Sequence, residues 1–310
     1  MAYRELATKK PFIVNKNLGS AVEVEPEELT QTNADGLLVV IPTQKQKYDF
    51  DRKGWLLIPS VLSDAEIVEM RDFCERLNDK PDSIPEPQRC GLGGPLQKLV
   101  DHPVVVGFLN EFLAYPPAAS EDCYGFRLEE TDVISGNEDK DIVSEFTPYK
   151  GNGLFRLPGD SHIYRCVPGR AWSGLTRAIW ELSEVNTETN NFRFITGSHK
   201  AAHTAPEVVQ DQNSPLWDTY ECPPGSLFLF TESIMQMNGH ATSHPTVVDR
   251  VKVSNLYNTV ASRWSNWMPH PELLEAMPSQ RQTLFRETYA GGNVVNGDFG
   301  NRTSAYPMEI

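Results

Sequence analysis

Residues 174–195 read GLTRAIWELSEVNTETNNFRFI, and the pattern of this stretch decides the fold. Gly174 to Val185 is a β-like segment, Asn186 to Asn191 is a run of turn-forming residues, and Phe192 to Ile195 is a second β-like segment. The same rhythm extends outward on both sides. Upstream lies Tyr124 to Leu128; downstream lie Ser226 to Phe230 and Val251 to Tyr257, each bounded by Gly, Pro, Asn or Asp. Short strands alternating with turns at this density predict a sandwich or barrel, not a helical bundle. The 23 prolines and 21 glycines spread along the chain agree with many turns between short elements.

The segments before this β-rich region read differently. The apolar run Leu37-Leu38-Val39-Val40-Ile41 predicts one strand within an N-terminal extension that ends near Lys47. Gly54-Trp55-Leu56-Leu57-Ile58-Pro59 is a short strand stopped by proline. Ser63-Asp64-Ala65-Glu66 has the spacing of a capping box, in which Ser63 satisfies early helix N–H groups and Glu66 reaches back. Ile67, Met70, Phe73, Cys74 and Leu77 then follow at helical spacing and predict one apolar face. A second helical region from Pro95 to Leu113 is expected to break at His102-Pro103, because the residue before proline is pushed out of the helical region. Helix returns at Pro271 to Met277, and Gly291 to Tyr306 is rich in Gly and Asn and expected to be loose. There is no internal repeat.

Composition narrows the function. The chain has 310 residues, 39% of them hydrophobic and 23% charged, which is the range of globular proteins and not of disordered ones. A formal net charge of −14 repels phosphate backbones and anionic lipid, so neither nucleic acid nor a membrane is expected as a partner. An anionic cosubstrate would need a local basic anchor. No run approaches the roughly 18 to 20 apolar residues of a membrane helix, and Met1 to Gly19 is too polar for a secretory signal, so a cytoplasmic location is the expectation. The five cysteines are scattered, with no Cys-x-x-Cys pair, and predict reduced thiols. Neither a Gly-x-Ser-x-Gly elbow, a phosphate loop nor a dinucleotide fingerprint is present.

Four stretches carry a resemblance to the phytanoyl-CoA dioxygenase family. They are FDRKGWLLIPSVLSDAEIVEMRDFCERL (50–77), LQKLVDHPVVVGFLNEFL (96–113), AIWELSEVNTETNNFRFITGSHK (178–200) and PPGSLFLF (223–230). The likeness runs from about Tyr48 to Tyr289. It implies an eight-stranded double-stranded β-helix, a jelly roll of the cupin type, from about Tyr124 to Tyr257, with helices packed outside one sheet. It also implies an oxygenase domain over 48–290, an N-terminal extension over 1–47 and a tail over 291–310. The family's chemistry is a non-haem Fe(II) site of His-x-Asp plus a distal His, with an arginine holding 2-oxoglutarate. Two imidazoles and a carboxylate on one face of the iron leave positions open for the oxoacid and oxygen.

Carried onto this chain, the resemblance makes His162 the first metal histidine, but Tyr164 stands where the aspartate belongs. On a strand, Asp160, His162 and Tyr164 would share one face, so Asp160 is the candidate carboxylate in reversed order; the Pro158-Gly159 turn before it favours an ordinary turn aspartate instead. Glu181 is a second carboxylate nearby. If Trp180 faces the pocket, however, alternation turns Glu181 outward, towards Arg177. The distal position falls on or near Gln236, and His240 is the nearest histidine able to serve; His244 reads as a loop residue. Arg250, about ten residues later, is the expected 2-oxoglutarate anchor, with Trp180 packed beside it. His199 and His203 mimic a metal pair, but His199 belongs to the Gly-Ser-His-Lys turn, and His102 and His270 beside prolines read as structural.

The function expected from the resemblance is oxidation of a small molecule, by hydroxylation, with Fe(II), 2-oxoglutarate and molecular oxygen. His162 and His240 would be central to it. The alternative, supported by Tyr164 and Gln236 at two ligand positions, is a degenerate member that keeps the barrel and binds a ligand without iron.

Overall fold

The computed structural model describes residues 12–14, 21–23, 29–135, 148–150, 162–186, 192–203, 205–238 and 250–288. Strands β1 (Phe12–Val14) and β2 (Ala21–Glu23) pair antiparallel. Helix α1 (Gln44–Lys53) is capped by Thr43 and Gln46 and ends on Gly54 at φ 84°. A Cβ at Gly54 would lie 2.5 Å from His199 Nδ1, so glycine is needed for space as well as for the turn. This helix runs across residues 47 and 48, where the extension was expected to end.

The chain then enters β3 (Trp55–Ile58) and α2 (Asp64–Asp79). The capping box is present in full, with Ser63 accepting from the Glu66 N–H and Glu66 accepting from Ser63. Met70, Phe73 and Cys74 are buried on its inner face. Helices α3 (Gln97–Val100) and α4 (Pro103–Phe112) are separated at the expected break, where His102 Nδ1 accepts from the Val104 N–H at 3.3 Å. The strand predicted over Leu37–Ile41 is not formed. Leu38 makes only an isolated bridge to Thr32, and Leu37, Leu38, Val40 and Ile41 are exposed. The run hydrogen-bonds instead to Gln31 and Pro103, so an apolar stretch without a sheet edge beside it stays irregular.

The remaining strands are β4 (Phe126–Ser135), β5 (Tyr149–Lys150), β6 (Arg165–Val167), β7 (Arg170–Trp172), β8 (Thr176–Glu181), β9 (Phe192–Ile195), β10 (Ser226–Thr231), β11 (Met235–Asn238) and β12 (Val251–Thr259). Short helices α5 (Pro271–Ala276), capped by His270, and α6 (Ser279–Gln282) follow. A large sheet has the order β3-β10-β8-β12-β4 and a small one β5-β11-β9, with Asp218 bridged to Phe194 beyond it. Every strand pair among the described residues is antiparallel. The fold is mainly β, the double-stranded β-helix expected from the sequence.

Alternation gives the large sheet two different faces. Ala178, Trp180, Leu227, Leu229, Val251 and Val253 point towards the helices and join Phe108, Leu109 and Phe112 in one core. Ile179, Phe228 and Phe230 point towards the small sheet and join Phe192, Phe194 and Tyr220 in a second core. Tyr220 stacks on Phe228 with centroids 4.1 Å apart. All five cysteines are free thiols, and burial pushes the Cys74 thiol up to about 12.

Candidate functional site

The space between the two sheets carries two polar clusters, one at each end of β8. Arg177, Ile179 and Glu181 share the inner face, as their partners Phe230, Phe228 and Ser226 on β10 require. Six residues of strand rise roughly 17 Å from first to last, so Arg177 and Glu181 serve different ends of the barrel.

At the deep end, where β12 begins, Arg250 Nη2 donates to Glu181 Oε1 at 2.6 Å and its Nε donates to Oε2 at 3.1 Å. The Tyr220 hydroxyl donates to the same Oε1 at 2.5 Å. Glu181 is fully buried and the Arg250 side chain is 7% exposed. Burial disfavours the Arg250 cation, but the Glu181 charge and its hydrogen bonds outweigh this and raise its pKa. Burial, and then the Glu181 charge, push the Cys222 thiol up to about 11.

At the other end, β8 starts, β10 ends and β11 begins. Arg177 Nε donates to Glu232 Oε1 at 2.5 Å, its Nη1 to Ser254 Oγ at 3.0 Å and its Nη2 to Glu130 Oε1 at 3.4 Å. Gln236 Nε2 donates to the other oxygen of Glu232 at 2.5 Å. Tyr149, directly across from Gln236 on β5, is near enough that burial and the Glu232 charge raise its pKa. One guanidinium thus meets two carboxylates at this mouth. Glu130 is 37% exposed and Arg177 24%, so solvent reaches the cluster, whereas Glu232 beneath it is 4% exposed.

The structure redistributes the residues singled out from sequence. Trp180 does not line this space. It lies on the opposite face of β8, fully buried, with its ring 5.1 Å from that of His102. Glu181 is therefore turned inward and pairs with Arg250, and Arg177 pairs with Glu232; the outward Glu181–Arg177 pair does not form. The reason is that β8 is covered on both sides, so hydrophobicity alone cannot say which face meets the small sheet. Arg250 does face inward as expected, but it is held by Glu181.

His162 is at the mouth end, its carbonyl accepting from the Leu175 N–H at 3.1 Å and its ring 5.1 Å from Trp264. It lies in a turn, and the adjoining strand begins only at Arg165, so strand alternation does not align it with Tyr164. Tyr164 points instead to a clasp outside the barrel. Its hydroxyl donates to Asp51, Lys200 Nζ lies 2.8 Å from the same carboxylate, and its ring is edge-on to His199 at 4.5 Å. Partial burial works against ionisation of Asp51, yet the hydrogen bonds from Lys200 and Tyr164 hold its carboxyl below the ordinary value. His199 Nε2 is 3.0 Å from the Asp51 carbonyl, which makes it part of the clasp and not a partner of the exposed His203. Asp160, His240 and His244 lie outside the described residues.

An iron site would need imidazoles and a carboxylate converging on one point. Among the described residues no three His, Cys, Asp or Glu side chains are grouped to hold a metal. Facing pair Tyr149 and Gln236 on β5 and β11 brings a phenol and an amide to the mouth, and the nearby Glu232 is already bound by Arg177 and Gln236. Glu232 is thus engaged by protein donors on both oxygens, and of the metal ligands expected from sequence only His162 is among the described residues. Arg177, Glu232 and Tyr149 were not singled out as site residues from sequence; the signal available was a charged residue at each end of one short apolar strand.

No family model matches the chain, and no curated protein matches it. Among solved structures it is similar to HygX from Streptomyces hygroscopicus. With the nickel- and 2-oxoglutarate-bound form the TM-score is 0.54 at 20% identity, over 74% of this chain and 91% of that one. With the form that also holds hygromycin B it is 0.51 at 20% identity, over 73% and 90%. The iron-bound form gives 0.51 at 20% identity, over 74% and 90%. At this identity the likeness is one of fold: the chain has the double-stranded β-helix found in an iron- and 2-oxoglutarate-binding protein.

Proposed function

We propose that this chain binds a small organic molecule in the mouth of its barrel, and that the Arg177–Glu232–Gln236 cluster there takes no part in holding a metal. The observation that carries this reading is the Arg177–Glu232–Gln236 chain of hydrogen bonds. A cation entering there would have to displace a guanidinium and an amide from a carboxylate that is already satisfied. The partly solvated mouth, where Glu130 stays open to solvent, suits a ligand that presents amine or hydroxyl donors. HygX holding hygromycin B supports an organic ligand within this fold. The −14 formal charge of the chain supports a neutral or cationic ligand over nucleic acid. The unit proposed to bind it is 48–290, with 1–47 as an extension and 291–310 as a tail.

A second reading keeps the full chemistry, a non-haem Fe(II), 2-oxoglutarate-dependent dioxygenase that hydroxylates a small molecule with molecular oxygen. It is favoured by the position of His162 at the mouth, beside the start of β8. Asp160 and His240 would complete its metal set. In either reading the chain's own residues bind and orient the ligand: Glu130 accepts hydrogen bonds from it, and Arg177 fixes Glu130 and Glu232 in place. Metal analysis of protein purified without oxygen, repeated on His162→Ala, decides between them. Iron well below one per chain in both samples would support ligand binding without iron. Stoichiometric iron that His162→Ala abolishes would establish the oxygenase.

A further inference from the structure

The deep end of the barrel has the parts of a carboxylate-binding site with a carboxylate already in it. Arg250 offers a planar fork, and Glu181 meets it with both oxygens, at 2.6 and 3.1 Å. The Tyr220 hydroxyl adds a third donor at 2.5 Å. These three groups come from the residue just before β12, from β8 and from the segment leading to β10, so the arrangement is built by the tertiary fold and not by one turn of chain. Bidentate guanidinium–carboxylate geometry with an added hydroxyl is what recognition of a free carboxylate would use.

We propose that Glu181 is a built-in carboxylate that occupies on Arg250 the place a bound dicarboxylate would take, so that the deep end is a latent carboxylate site exposed only when Glu181 is removed. The arrangement is closed to solvent, because Glu181 is fully buried and Arg250 and Tyr220 are nearly so. Any 2-oxoglutarate entering on this side would have to strip Arg250 of a charge partner and leave the Glu181 carboxylate buried without it. The inference concerns the deep end alone and stands whether or not a metal binds at the mouth.

Thermal unfolding in sodium acetate against sodium chloride of equal ionic strength is the test, on wild type, Glu181→Ala and Glu181→Gln. Glu181→Ala is expected to unfold at lower temperature in chloride and to recover on the order of a few degrees in acetate, because a ligand that binds only the folded state raises its midpoint. Wild type and the isosteric Glu181→Gln are expected not to distinguish the two salts. If Glu181→Ala does not fold in chloride, refolding in acetate is the readout, and failure to recover folded protein in either salt overturns the proposal. Titration of 2-oxoglutarate into wild type and into the Glu181→Gln, Arg250→Gln double variant, each with Mn(II), completes it. No binding to wild type supports the inference. Binding that survives in the double variant leaves it standing and counts against the metal-free reading, whereas binding lost only in the double variant overturns it.

Discussion

The two ends of β8 carry the same kind of ion pair in different surroundings. At the deep end Glu181 and Arg250 are shut away from solvent, two-pronged and supported by Tyr220. At the mouth Arg177 divides itself between Glu232, Glu130 and Ser254 and remains partly solvated. The buried pair is tied to the strand it rests on, and its loss would be felt as instability. At the mouth one guanidinium is shared between two carboxylates, and Glu130 keeps an accepting face towards solvent. Interior charge is structural where every valence is met inside, and available for a ligand where one is not.

The largest expected effect tests the closed end. Arg250→Ala takes the two-pronged guanidinium away from the buried Glu181 carboxylate and should lower unfolding free energy by about 3–5 kcal/mol, read by urea denaturation. A loss under about 1 kcal/mol would show that water reaches Glu181 and that the two ends are alike. Next comes the mouth, where Arg177→Gln should cost about 1–3 kcal/mol, because Glu232 keeps the Gln236 amide while losing its strongest donor. Equal costs at both ends would remove the distinction drawn between them.

Outside the barrel, Ser63→Ala removes the α2 cap and should cost about 1 kcal/mol, with no change at either end of β8. The smallest effect is on pH dependence. The Asp51 carboxyl has a lowered folded-state pKa, so its contribution is present above the unfolded value of about 3.8 and is lost as pH falls through the folded one. Asp51→Asn should therefore flatten the acid side of a plot of urea midpoint against pH. An unchanged acid slope would show that the Tyr164–Asp51–Lys200 clasp contributes nothing to stability.

Much of the architecture was legible in the residues because its signals are local. Ser63 and Glu66 are three apart, and a capping box needs nothing else. His102-Pro103 breaks its helix through a steric clash between neighbours. Runs such as Ser226 to Phe230 announce strands by composition, their spacing announced a sandwich or barrel, and the family resemblance narrowed it to a jelly roll. Leu37–Ile41 failed for the complementary reason: a strand requires a partner edge, and none is presented to it.

The site was legible only in part. Gln236 and Arg250 stood out by resemblance, and both do point between the sheets; His162 was found near the mouth, while Asp160 and His240 fall outside the described residues. Alternation along Arg177, Ile179 and Glu181 was also visible, as was the fact that Trp180 must face the other way. What the sequence by itself determined was therefore the set of strands, the caps and breaks of the helices, and which residues travel together on a face. Only the tertiary structure decided which face of β8 meets the small sheet, and with it that Glu181 takes Arg250 while Arg177 takes Glu232. The physical reason is that a strand covered on both sides is apolar on both sides, so the choice of face rests on strand order and on charges brought together across 55 and 69 residues of chain.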